Sequence, residues 1–180
     1  MTQISNDNFR KNIGWIAFLV VAITLSSFVF ACATPFAALA AVGALYLKRR
    51  EAFAMVGAAW FANQFIGYVF QHYPQTTDSF AWGLMIGMGA LAAVQTAAAA
   101  RTIWPGVRFA APVMAFAASF AAYEAVLYAT AIAARDVSGF SVEIVWYVLE
   151  VNAVAFAGLL GVHAIGRAIG LAPAPSPVAS

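Results

Sequence analysis

The chain has 180 residues, of which 64% are hydrophobic and 9% charged, with a formal charge of +2 and a mean hydropathy of +0.85. With apolar runs near or above twenty residues, this composition describes an integral membrane protein and excludes a soluble domain. One polytopic bundle uses nearly the whole length, which leaves no separate catalytic or nucleotide-binding domain. The single cysteine, Cys32, excludes an intramolecular disulfide and any multi-cysteine metal or iron–sulfur site.

Residues 1–12 are polar and end in Arg10-Lys11. Apolar sequence follows to Leu47, broken near Cys32-Ala33-Thr34-Pro35. Proline is tolerated in the first turn of a helix, so the pattern predicts helices over 13–31 and 35–47 joined by a tight turn. The second is short for a full span, and tilt or snorkelling of Lys48 and Arg49 would accommodate it. Further spans are predicted over 52–70, 80–100, 109–134 and 143–166, separated by polar or turn-rich connections at 71–79, 101–108 and 135–141. The expected fold is therefore all-α, a six-helix transmembrane bundle over 13–170, followed by a flexible Ala-Pro-rich tail, 171–180.

Six spans place Arg10, Lys11, Lys48, Arg49, Arg50, Arg101, Arg108 and Arg167 on one side and Arg135 on the other. The positive-inside rule then puts both termini in the cytoplasm and the protein in the cell inner membrane as a multi-pass chain. A competing reading takes Arg10-Lys11, the apolar core and Ala31-Cys32-Ala33 as a cleaved secretory signal. The core is longer than such signals carry, and Phe30 fits poorly beside Cys32 as a lipoprotein signal.

Two acids stand out. Glu124 and Glu150 fall inside predicted spans, where an acidic side chain costs about 2.5–3.5 kcal/mol on insertion scales unless something compensates it. Asn63 and Gln64 lie at a similar depth, and Thr24, Ser26 and Ser27 occupy the outer half of the first helix. Glu143, Trp146, Tyr147 and Glu150 follow helical spacing, while Glu124, Tyr128 and Arg135 share a face of the fifth helix. The expectation is the wall of an outward-opening cavity, covered by loop 71–79 with Trp82 below it. The candidate substrate-binding residues are Glu124, Glu150, Asn63, Gln64, Tyr128, Trp146 and Tyr147: carboxylates for charge, aromatics for cation–π or stacking contacts, amides for orientation.

Plainer readings stand beside these. The aromatics, Trp104 above all, double as interfacial anchors; the amides serve equally as interhelical glue. Small residues recur at four-residue spacing at Ala33, Ala37 and Ala41 and again at Ala93, Ala97 and Arg101, which suits internal helix packing. His72 and His163 are expected on opposite sides of the membrane, so they do not share a metal or haem; His72 with Asp78 makes only a two-ligand loop. No cofactor motif is present, neither a G-x-S-x-G elbow, an H-E-x-x-H zinc motif nor a phosphate-cradling glycine loop, and an enzyme is disfavoured. Nothing points to nucleic acid.

The span count, the chain length, the outer-side pocket and the Ala33/Ala37/Ala41 run resemble the substrate-binding S components of energy-coupling factor transporters. The resemblance is architectural. It implies a six-helix bundle that takes a small solute from the outer side and contacts a membrane coupling subunit carrying an ATPase. In that family the small-residue docking motif belongs to the first helix, whereas here the best run lies in the second. The expected function is thus binding or transport of a small, cationic solute, a vitamin-like amine or a metal ion, by a protein whose partners are the bilayer, that solute and the coupling subunit. The alternative is an accessory or assembly subunit of a larger membrane complex.

Overall fold

Four of the apolar segments become helices of 21 to 27 residues: α3 (Arg49–Val69), α4 (Thr77–Ile103), α5 (Ala110–Ala134) and α6 (Val142–Ala168). All four are long and apolar enough to cross a membrane. Two shorter apolar helices precede them, α1 (Ile13–Leu25) and α2 (Phe36–Tyr46). The computed structural model describes residues 13–25, 34–103 and 110–172, and every regular element among them is helical. Ser26, Ser27, Cys32, Ala33 and Trp104 lie outside the described residues. The six helices sit where hydropathy places them, while four rather than six have the length of a full span.

Helix starts and stops follow local chemistry. Lys48 N–H donates to the Glu51 carboxylate at 3.0 Å and opens α3; the Ser141 hydroxyl accepts from Ile144 N–H at 3.4 Å and opens α6. Both α5 and α6 end in a Schellman turn, in which a residue in the left-handed region lets the next N–H reach back five carbonyls. Gly170 (φ 77°) serves α6, with Leu171 N–H on Gly166 O at 2.8 Å; Arg135 (φ 58°) serves α5, with Asp136 N–H on Ala131 O at 3.0 Å. Ser138 then donates its hydroxyl and its N–H to Asp136 at 2.6 and 3.0 Å, which holds that carboxyl below its ordinary range.

The core forms around α2. From Phe36 to Leu45 every residue is buried, and α3, α4, α5 and α6 all pack against it. The facing helices present narrow stripes at helical spacing: Ala52, Met55, Val56, Ala59 and Asn63 on α3; Ala90, Ala93, Val94 and Ala97 on α4; Asn152, Phe156, Leu159 and His163 on α6. Inside a bilayer apolar burial gives little drive, so close approach and hydrogen bonds must hold such a centre. Small residues supply the approach. A Cβ on Gly43 would lie 2.7 Å from the Met55 methyl, and one on Gly87 would lie 2.7 Å from the Trp60 ring, whose N–H donates to Gly83 O at 2.7 Å. The small-residue runs of α2 and α4 are therefore internal packing faces, and α2 offers no docking stripe to a partner.

The first helix joins this core from the side. Trp15, Leu19 and Ile23 form its buried stripe, and Trp15 meets His163 of α6 edge-on, with ring centroids 5.5 Å apart.

Candidate functional site

Helix α2 is short, and both its ends lie inside the protein. A buried helix terminus leaves orphan N–H or C=O groups that membrane hydrocarbon cannot satisfy. At the start of α2, Pro35 brings no N–H, and Phe36 N–H turns back to Thr34 O at 2.8 Å. Ala38 N–H, an orphan of the first turn, donates to Asn152 Oδ1 of α6 at 3.1 Å. The Ser119 hydroxyl of α5 donates to Ala37 O at 2.7 Å. Asn63 of α3 donates through Nδ2 to Thr34 Oγ1 at 2.9 Å, and Gln64 Nε2 donates to Asn63 Oδ1 at 3.3 Å. At the far end, Arg101 of α4 donates to Ala44 O at 2.9 Å and closes the helix from a cationic side chain, the favourable sign for a C-terminus.

The result is a polar layer deep in the bundle. Thr34 and Asn63 are 5% and 6% exposed, Ser119 and Asn152 fully buried. At 1.5 Å per residue, Asn63 lies about 21 Å from the Arg49 end of α3, Asn152 about 24 Å from the Ala168 end of α6, and Ser119 about 14 Å from the Ala110 end of α5. The layer is therefore near mid-depth, and α2 occupies only the half of the bundle that carries Lys48, Arg49, Arg50, Arg101 and Arg167. Its chemistry is neutral: amides and hydroxyls around the positive end of a helix, suited to hydrogen-bonding a polar group and not to moving protons.

The sequence-predicted residues divide between two places. Asn63 and Gln64 belong to this layer. Glu124 is half-buried on α5, one residue beyond Tyr123, whose ring lies 6.4 Å from Phe36 in the core. Tyr128, Trp146, Tyr147 and Glu150 are exposed on the outside of α5 and α6. There Trp146 Nε1 donates to Glu150 Oε1 at 2.6 Å, and Tyr128 packs edge-on against Phe140 at 5.4 Å. Loop 70–76 is drawn back onto its own helix: Tyr73 lies directly on Gly67, and Tyr68 stacks on Phe80 at 4.7 Å.

Thr34, Ser119 and Asn152 complete the layer without having been singled out in the sequence. Asn152 carried a readable signal, since an amide inside an apolar run costs free energy unless it is bonded. Ser119 carried none, one hydroxyl among alanines. At the basic end, His163 is 2% exposed and stacked on Tyr46 at 3.7 Å, and neither ring nitrogen has a hydrogen-bond partner among the described residues. Among the described residues no group of three or more His, Cys, Asp or Glu side chains could hold a metal ion. Comparison with protein-family models, with curated proteins and with solved structures finds no match.

Proposed function

We propose that the chain is an inner-membrane small-solute binding protein, serving uptake, whose solute enters opposite the basic end and comes to rest above the start of α2. The observation that carries this reading is the depth at which α2 begins. A central helix covering only the basic half of the bundle sets a polar floor of Asn63, Asn152, Ser119 and Thr34 near the membrane centre. Discontinuous helices whose ends meet polar side chains at mid-membrane are a recurrent way to build solute sites. The basic end faces the cytoplasm under the positive-inside rule, so this floor looks outward. Glu124, half-buried on the helix that carries Ser119, supplies the negative charge that a cationic solute, a vitamin-like amine or metal ion, needs to offset the positive start of α2. Energy comes from a gradient or from a membrane coupling subunit with an ATPase, the arrangement implied by the likeness to S components.

A second reading is favoured by one observation. Glu150 with its Trp146 partner faces away from the bundle within the span of α6, where a carboxyl against lipid costs about 2.5–3.5 kcal/mol on insertion scales. A neighbouring membrane subunit with a donor or cation at that depth would cover the pair, making the chain an accessory subunit.

Native mass spectrometry of gently extracted protein separates the two. The solute reading expects a small molecule or metal bound to the wild type, weakened at least tenfold by Glu124→Gln and unaffected by Glu150→Gln. An empty protein held in a complex that Glu150→Gln disrupts would sink the solute reading in favour of the subunit one.

A further inference from the structure

An open groove of about 580 Å³ runs between the first turn of α1 and the last turn of α6, at the basic end of the bundle. Gly14, Trp15 and Phe18 form one wall; Val162, Ile165 and Gly166 form the other. The lining is apolar throughout. Of its two glycines, Gly14 leaves the backbone open to the groove. Gly14 has open space where a Cβ would stand, while Gly166 is roofed by the Trp15 ring, 2.8 Å from where its Cβ would be. A transmembrane helix is about 10 Å across, so the groove would hold little more than about one turn of one. A slender, flexible chain suits it better.

Charge sits at its rim. Arg167 follows Gly166 directly and is exposed, and its guanidinium makes no ion pair or hydrogen bond among the described residues. Arg49 and Arg101 of the same end are engaged with Gln95 and Ala44 O. An open apolar slot at the basic end of the bundle, followed in the chain by an exposed guanidinium, has the complement of a phospholipid: acyl chain in the slot, phosphate on the cation.

We propose that this groove binds one anionic phospholipid of the leaflet at the basic end, with an acyl chain between α1 and α6 and its phosphate on Arg167. The inference is independent of the solute and subunit readings, since it uses none of the polar-layer residues or Glu150.

The test is delipidated full-length protein in detergent, titrated with phosphatidylglycerol or with phosphatidylcholine of the same acyl chains, and read by native mass spectrometry. Phosphatidylglycerol should be retained at least fivefold better. Gly14→Leu, whose Cβ has no other atom within 4 Å, adds bulk to the groove wall and should lower retention of both lipids. Arg167→Gln, at an exposed position, should bring phosphatidylglycerol down to the phosphatidylcholine level with the thermal midpoint unchanged. Equal retention of the two lipids by the wild type, or a preference that survives Arg167→Gln, would overturn the proposal. So would retention untouched by Gly14→Leu, since the bound lipid would then lie elsewhere.

Discussion

His72 and Arg135 adopt the left-handed backbone conformation without being glycine, with φ of 55° and 58°. That conformation costs an L residue roughly 1–2 kcal/mol, part of which glycine returns through its larger unfolded-state entropy, roughly 0.5–1 kcal/mol. At His72, which is exposed, no side-chain contact among the described residues offsets the remainder, so His72→Gly should raise stability by about 0.5–1 kcal/mol in a reversible unfolding titration in detergent. At Arg135 the guanidinium also sits beyond the negative end of α5, worth about 0.3–1 kcal/mol, so Arg135→Gly should come out near neutral. A large loss at His72 would show that its imidazole does something the backbone does not ask for. For His72, first considered with Asp78 as a two-ligand loop, the geometry thus offers a backbone role.

Helix α2 depends on side chains from other helices at both ends, and those side chains are not equivalent. Asn152→Leu keeps the volume but strands Ala38 N–H in the interior, a loss of about 1–3 kcal/mol. Ser119→Ala removes a donor to Ala37, a carbonyl that sits within a helix, and should cost less than about 1 kcal/mol. Equal losses in the same titration would mean that packing, not capping, holds α2. The sequence made α3 to α6 plain because each is a long apolar run between polar loops. It concealed the place of α2, because Phe36 to Leu45 is apolar on every side and hydropathy reads a lipid-facing helix and a helix-facing one alike. The same blindness acted on α6. Glu150 and Asn152 are 200° apart around a helix, so one of them had to face outward. Spacing alone selected the face of Glu143, Trp146, Tyr147 and Glu150; packing against α2 selected that of Asn152, Phe156, Leu159 and His163.

At the scale of the whole molecule, the bundle has two chemically different ends. Lys48, Arg49, Arg50, Arg101 and Arg167 gather at one, and loops 70–76 and 135–141 lie at the other. In a Cys32→Ser background, Gln75→Cys or Ser138→Cys should react with a membrane-impermeant maleimide on intact cells. Thr102→Cys should react only after permeabilisation. The reverse pattern would invert the topology and, with it, the side from which a solute arrives.

The partner of Ala38 N–H is Asn152, 114 residues further along the chain. The second helix to leave the ribosome therefore waits for the sixth before its first turn is capped. Until α6 is made, the first turn of this eleven-residue apolar helix keeps an amide that lipid cannot satisfy. Synthesis proceeds from one terminus to the other, so this bond between the second helix and the sixth can close only when most of the bundle has been made.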